Sequence, residues 1–249
     1  PWSIDGSVVF GPDSDYNTLA VSLVQFMNSI GIEVESLQCE DSQIDMNFLN
    51  IALRFNENIS HGEWTIHCSS DAIVSISKFK PTKFPISENL TEIDKSKYDL
   101  INKAWKKETA IENVSQGAYI SSQQYSESLS SRINLIAQSG NQNIWPPRIL
   151  NEQGDYYGSE EVRLSNVCNI ESWTKLSAAG APSEFAIRAP ILGGVSTVMV
   201  STTDGPNGVF LLADDEERTP EIGKSVELVV RRLYAQEGTI RYGAKAIIS

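Results

Sequence analysis

Asn143-Ile144-Trp145-Pro146-Pro147-Arg148 is the stretch on which the reading of this chain turns. Proline fixes φ at about −65° and removes a backbone donor, so Pro146-Pro147 cannot lie inside a helix or a central strand. Trp145, just before them, is pushed towards extended backbone. The stretch is therefore a rigid corner with an indole and a guanidinium beside it. N-terminal to it, helical apolar spacing alternates with short strand patterns. C-terminal to it the pattern turns to strands.

In the tail, residues 162–174, 195–201 and 209–213 read as strands, and Asp204-Gly205-Pro206-Asn207-Gly208 reads as a turn between two of them. Val226, Leu228 and Val230 alternate with polar neighbours, as do Ile240, Tyr242, Ala244, Ala246 and Ile248. Five such strands predict a small closed barrel. Towards the N-terminus, Ser7-Val8-Val9-Phe10 reads as a short buried strand ended by Gly11-Pro12. Tyr16, Leu19, Ala20, Leu23, Phe26, Met27 and Ile30 fall on one helical face, with Asp13 or Ser14 as the cap and Gly31 as the end. Residues 32–37 alternate as a strand. A second helix is expected over residues 44–56, with Phe48, Ile51, Ala52 and Phe55 on one side, and two strands over 64–68 and 73–79. The order β-α-β-α-β-β predicts an α/β layer.

Between these regions, Tyr98, Ile101, Ala104 and Trp105 give one face of a helix over residues 94–107. Its Lys95, Lys97, Lys103, Lys106 and Lys107 read as a solvated basic face, or as a docking face for an acidic partner. Residues 108–126 are rich in Ser, Gln and Asn and read as a linker. Residues 126–138 are helical again, with Leu129, Ile133 and Ile136 on one side.

Composition narrows the function classes. The 249 residues are 41% apolar and 21% charged, an ordinary globular balance. The net charge of −12 is uneven: residues 1–130 carry 9 basic and 18 acidic side chains, and residues 131–249 carry 11 and 14. That sign repels phosphate backbones and argues against a general nucleic-acid binder. No apolar run approaches the roughly 18 residues of a membrane span. Pro1-Trp2-Ser3-Ile4-Asp5 has neither the basic start nor the apolar stretch of a secretory signal, so a cytoplasmic, reducing setting is expected. Cys39, Cys68 and Cys168 are far apart and odd in number, which supports neither a disulfide framework nor a zinc site.

The tail resembles the OB-fold domain of the zinc-ribbon/OB family associated with thiolases and hydroxymethylglutaryl-CoA synthases. The matching pieces are Trp145-Pro146-Pro147-Arg148, Ser172-Trp173-Thr174, Asp204-Gly205-Pro206, Glu221-Ile222-Gly223 with Val226-Glu227-Leu228, and Tyr242-Gly243-Ala244-Lys245. They stand in family order over about 120 residues. The family holds zinc with one Cys-x-x-Cys on each side of the Pro-Pro-Arg corner. Here those positions are Ala137, Gly140, Asn151 and Gly154, so the resemblance implies a ribbon that has lost its metal. Ile136, Ile144, Trp145 and Tyr156 would replace the metal by apolar packing.

Residues 1–80 resemble the C-terminal part of a thiolase-superfamily subunit, nearest to the hydroxymethylglutaryl-CoA synthase type. Gly11-Pro12-Asp13 stands where that family has its catalytic His, the Gly-Asn pair is missing from Asp41-Ser42-Gln43, and the glycine-rich turn is reduced to Ser69-Ser70-Asp71. The family's nucleophilic Cys lies in a half not represented here. The implied organisation is α+β: a degenerate thiolase-like α/β region at 1–80, helix and linker at 81–125, a metal-free ribbon remnant at 126–160, and a five-stranded OB-fold barrel at 161–249.

The expected function is a non-catalytic partner subunit of a thiolase-superfamily chain, with acyl-CoA as the shared ligand and no metal or other cofactor of its own. Arg148 and Lys245 are carried over from matching motifs as cations for coenzyme A phosphates, and Arg188 joins them from its loop position. Trp145 is the candidate contact for the adenine or pantetheine arm. Two rivals stand beside this reading. One is a subunit of an acyltransferase or carbon–carbon condensing enzyme whose Cys and His come from another chain. The other is a free-standing ligand-binding or scaffold protein. Three local features have plainer readings. His67-Cys68 are adjacent in a strand and point to opposite faces, so they do not form a dyad. Asp214-Asp215-Glu216-Glu217 is expected in an exposed loop rather than around a cation. Arg231-Arg232 beside Tyr234 is not expected to meet a nucleic acid.

Overall fold

The computed structural model describes residues 11–39, 42–55, 63–68, 74–78, 95–110, 121–140, 143–148, 153, 160–203, 205–236 and 238–249. The strand expected at Ser7-Val8-Val9-Phe10, His61, Ser69-Ser70-Asp71, Tyr156 and most of the expected linker lie outside these residues.

The first helix, α1 (Tyr16–Ser29), is capped by Asp15 and not by Asp13 or Ser14. The Asp15 side chain accepts from the Thr18 amide at 2.9 Å, and Thr18 Oγ1 accepts from the Asp15 amide at 2.9 Å. Such a reciprocal cap stabilises a helix by about 1 kcal/mol. Gly31, at φ 81°, follows the helix end as expected. The buried face is broader than the sequence spacing suggests: Ala20, Val21, Val24 and Met27 are fully buried, whereas Phe26 is half-buried and Ile30 exposed. The reason is that α1 is covered on two sides, by a small sheet and by a strand of the C-terminal region.

That small sheet contains β1 (Leu37–Cys39), β2 (Trp64–Cys68) and β3 (Val74–Ser77), with β1 parallel and β3 antiparallel to β2. The strand expected over 32–37 begins only at Leu37. Helix α2 (Met46–Leu53) starts on an Asp45 cap and ends where Arg54 takes a left-handed backbone, three residues inside its expected end at 56. Helix α3 (Lys95–Glu108) buries Ile101, Ala104 and Trp105, as the spacing predicts. Helix α4 (Ser122–Ile133) begins four residues before its expected start at 126 and stops five short of 138. It packs on α2 with Tyr125, Leu129 and Ile133 buried, so it belongs to the first core.

Past α4 the chain reverses at Leu135 into β4 (Ile136–Gln138), which pairs with β5 (Glu161–Arg163). The corner lies between these strands, with a cis Trp145–Pro146 bond and an isolated bridge from Gln138 to Ile144. Strands β6 (Val167–Leu176), β7 (Val195–Ser201), β8 (Gly208–Leu211), β9 (Ser225–Gln236) and β10 (Thr239–Ile248) form one antiparallel sheet in the order β10-β9-β6-β7-β8. Between β6 and β7 lie two 3-10 turns and the four-residue helix α5 (Ala189–Leu192).

The closed barrel expected from the sequence is not formed: the sheet is open. Its outer strands meet only at the parallel bridge Leu212–Ala246, where the Ala213 amide donates to the Ala246 carbonyl at 3.0 Å. β8 is four residues long, and the chain then leaves the sheet to bury Asp214, so no ladder develops.

The hairpin of β9 and β10 joins two cores. Its near half, with Val226, Leu228, Ala246 and Ile248, belongs to a core shared with Cys168, Ile170, Val198, Val200 and Phe210. Its far half gives Val230 and Tyr242 to the core built by α1, α2, α4 and the small sheet. Burial along β9 alternates from Val226 to Val230, then runs unbroken through Arg231 and Arg232. One-sided packing produces alternation, and cover on both faces abolishes it. Here α1 and α3 both pack against β9.

Candidate functional site

Covering both faces of β9 buries charge. Asp13 precedes α1, Trp105 and Glu108 end α3, Arg188 precedes α5, Asp214 follows β8, and Arg231 and Lys245 lie on β9 and β10. All are buried, with Arg188 and Lys245 at 1% exposure. Lys245 Nζ donates to Asp214 Oδ1 at 2.6 Å and to Asp13 Oδ2 at 2.8 Å. Arg188 donates from Nη1 to Asp214 Oδ2 at 2.8 Å and from Nε to Glu108 Oε2 at 2.7 Å, while its Nη2 donates to the Leu233 carbonyl at 2.9 Å. Trp105 Nε1 donates to Asp214 Oδ2 at 3.2 Å, and the Arg188 guanidinium lies 3.7 Å over the Trp105 ring. Arg231 Nε approaches Asp13 Oδ1 at 3.2 Å but is not aligned for a hydrogen bond, so that contact is an ion pair only. Arg232 closes the group by donating to the Pro12 carbonyl at 2.7 Å.

The electrostatics follow from this sharing. Burial by itself raises the Asp214 carboxyl, but Lys245 and Arg188 outweigh it and hold the group at about 2. Glu108 goes the other way: burial raises it, and Arg188 beside it does not fully offset that. Arg188 itself is raised, because Asp214 and Glu108 together outweigh its burial. The two ends of the Arg188–Glu108 pair thus shift in opposite senses for the pair's strength. Asp214, which meets both cations directly, is the anchor of the cluster, and Glu108 is its weaker arm. Asp215 is raised by burial and by the nearby Asp13 carboxylate.

Above this cluster opens a cleft of about 300 Å³. Arg188, Asp214 and Lys245 form its floor. Trp173 and Lys175 from β6, Phe185, Leu192 and Leu211 form its walls. Lys97, Glu217 and Arg218 stand at its rim, with the Glu216 carboxylate buried beside Arg218. A second cavity of about 360 Å³ lies between α1, the end of α4 and β9. Polar groups around it are committed to each other: Gln25 Nε2 donates to Asn134 Oδ1 at 2.9 Å, and Asn166 Nδ2 to Glu227 Oε1 at 3.1 Å. The first cleft is the better candidate site.

The structure brings together two of the four site residues expected from the sequence. Arg188 and Lys245 share the Asp214 carboxylate on the cleft floor. Trp145 and Arg148 do not line that cleft. Trp145 stacks on Phe210 at 5.4 Å between ring centroids, and its Nε1 donates to the Ser131 carbonyl at 3.2 Å. Arg148 is exposed on the corner. The loop reading of residues 214–217 also changes, since Asp214 is buried and only Glu217 is exposed. Trp173 fell in the strand expected over 162–174 and in the Ser172-Trp173-Thr174 piece of the resemblance, whereas Lys175 lay one residue beyond that strand; neither was expected to line a site.

Of the four positions that the resemblance aligns with zinc ligands, Ala137 is buried in the second core, Gly140 is exposed, and Asn151 and Gly154 lie outside the described residues. Among the described residues no three His, Cys, Asp or Glu side chains are grouped to hold a metal ion. The Cys168 thiol is pushed up to about 11 by burial. No helix among the described residues is long and apolar enough to cross a membrane. No family model matches the chain, and no curated protein sequence matches it.

Proposed function

We propose that the chain is a non-catalytic partner subunit of an acyl-CoA-handling enzyme of the thiolase superfamily, with a degenerate thiolase-like N-terminal region and a metal-free OB-fold tail. The observation that carries this reading is the strand order of the tail. Taken as one to five, strands β6 to β10 lie in the order five-four-one-two-three, and three meets five in a parallel bridge. That neighbourhood supports reading the open sheet as a partly open, five-stranded OB barrel. The pieces that carry the sequence resemblance fall on these strands or on the turns between them. Ser172-Trp173-Thr174 is on β6, Gly205-Pro206 is between β7 and β8, Glu221-Ile222-Gly223 leads into β9, and Tyr242-Gly243-Ala244-Lys245 is on β10.

A role without chemistry of its own is supported by the state of the ionisable groups. A Cys nucleophile needs a lowered pKa or a base within reach. Cys168 has the opposite environment. His67 and Cys68 are neighbours in β2, on opposite faces of the sheet. Arg188 and Lys245 are tied to carboxylates, so in this reading they hold the tail against the N-terminal region and shape the floor of the acyl-CoA channel.

The test is co-expression with a thiolase-superfamily chain from the same source, followed by native mass spectrometry, elemental analysis and acyl-transfer assay. The expected result is a zinc-free hetero-oligomer whose activity depends on the partner's Cys. Acyl transfer by the isolated chain overturns the reading, as does a monomer that never joins the partner.

A further inference from the structure

We infer that the cleft between β6, α5 and the Asp214 loop binds a mononucleotide, with Trp173 stacking on the base and Lys175 contacting the phosphates. The inference requires no partner chain and stands apart from the subunit reading.

Four observations lead to it. Trp173 is 41% exposed and makes no ring or cation contact among the described residues, so a large apolar face is presented to the cleft uncovered. Lys175 follows two positions later on the same face of β6 and makes no ion pair among the described residues. Rim cations Lys97 and Arg218 are instead held by Glu217 and Glu216. The floor cations are matched as well, Arg188 by Asp214 and Glu108 and Lys245 by Asp214 and Asp13, so Lys175 is the lining cation left without an ion pair among the described residues. An unpaired cation in a concave site attracts small anions from solution. The cleft volume of about 300 Å³ is at the small-ligand scale.

The geometry separates the two contacts suitably. Alternate residues of a strand stand about 7 Å apart on one face. That is the scale on which a mononucleotide holds its base away from its first phosphate. Lys175 is also positioned by the backbone opposite it. Its Cε would lie 3.2 Å from a Cβ at Gly194, and its Nζ 3.9 Å from one at Gly193. The bare di-glycine lets the lysine stem lie across it with the ammonium at the cleft. The buried floor fixes the α5 side of the cleft, since Arg188 and Lys245 tie the α5 loop and β10 to one carboxylate.

Isothermal titration of the full chain with ADP, adenosine and pyrophosphate tests this, with tryptophan fluorescence as a second readout. ADP should bind saturably with Kd below about 1 mM, and adenosine and pyrophosphate each at least tenfold more weakly. Trp173→Ala should weaken ADP by about 5- to 150-fold, and Lys175→Ala should weaken it and flatten its salt dependence. Both residues are exposed, so both variants should keep the wild-type circular dichroism spectrum. Met199→Ala, exposed on the opposite face of the sheet, should change nothing. Absence of saturable ADP binding overturns the inference. So does pyrophosphate binding as tightly as ADP, or ADP affinity unchanged in both cleft variants. The partner-capture experiment reads a different quantity, so either proposal can fail without the other.

Discussion

Asp214→Asn is the sharpest perturbation of this structure, because it keeps the shape of the side chain and removes only its charge. The wild-type carboxylate is 3% exposed and accepts from Lys245, Arg188 and Trp105. An amide offers one acceptor oxygen to those donors and turns two further hydrogens towards them. Removing one partner of a buried pair costs about 3–5 kcal/mol. Arg188 keeps Glu108 and Lys245 keeps Asp13, which puts Asn at the low end, about 3 kcal/mol. Asp214→Ala adds a cavity and moves to about 5 kcal/mol. For a chain of this size each kcal/mol lowers Tm by about 2–4 °C, so Asn should lose about 6–12 °C. Thermal and urea unfolding by circular dichroism give both quantities.

The same group sets a pH signature. Its folded value of about 2 lies below the ordinary 3.8. Its contribution is therefore complete above about pH 4 and is lost as pH falls towards 2. Glu108, Asp215 and Asp15 are raised, so their contribution has the opposite sign and declines as pH rises through their folded values. Asp214→Asn should remove the acid limb due to Asp214 and leave the others. A loss of stability below 1 kcal/mol in Asp214→Asn at pH 7 would refute the view that this cluster ties the molecule together.

Three further outcomes follow from single sites. Gly194→Ala should cost at least twice what Gly31→Ala costs, the latter being about 1–2 kcal/mol for a left-handed alanine. Both glycines have positive φ, but a Cβ at Gly194 meets the Leu176 carbonyl oxygen at 2.3 Å while one at Gly31 meets nothing within 4 Å among the described residues; thermal melts of the pair decide it. Cys168, buried and raised to about 11, should resist iodoacetamide at pH 8 in the native chain and react after unfolding, as read by peptide mass mapping. Tyr242→Phe should destabilise by about 1–3 kcal/mol in urea unfolding, because its hydroxyl donates to Asp15 Oδ2 at 2.8 Å and accepts from Asn17 Nδ2 at 3.1 Å, leaving buried groups unpaired.

Legibility in the sequence tracked how local the deciding interaction was. The strands at Trp64–Cys68 and Val195–Ser201 and the buried face of α3 follow from apolar spacing and match their expected positions. Boundaries failed where a side chain had a distant commitment. Asp13 or Ser14 looked like the cap of α1, but Asp13 is held by Lys245 and Asp15 does the capping. Residues 136–138 continue the helical pattern of α4, yet Leu135 turns left-handed and Ile136–Gln138 pairs with Glu161–Arg163. The site failed for the same reason. Arg188 and Lys245 read as cations for a ligand because sequence does not show that Asp214, 26 and 31 residues away, already meets both. The acidic run at 214–217 read as solvated because nothing local says that Arg188 and Lys245 will draw its first member inside.

A buried ion cluster is weak evidence for stability, since apolar residues of equal volume serve as well or better. Its value here is directional. Asp214 accepts from side chains of three separate elements, α3, the loop before α5, and β10, and each donor has a defined lone pair to meet. An apolar plug at this position would tolerate a slip of the α5 loop along β10. The shared carboxylate does not, because a displaced Arg188 or Lys245 would leave a buried charge unmatched. Two of the elements held in register, the α5 loop and β10, bound the candidate cleft, so the cluster fixes the floor and the α5 side facing Trp173 and Lys175. It also cancels the floor's own charge, and with the rim cations paired to Glu216 and Glu217 the cleft's cationic character is left to Lys175. A variant that weakens the cluster should therefore lower ligand affinity through loosened geometry, with the salt dependence of binding unchanged. Lys175→Ala should change that salt dependence while leaving Tm within about 1 °C of wild type, since exposed substitutions usually shift stability by under about 0.5 kcal/mol.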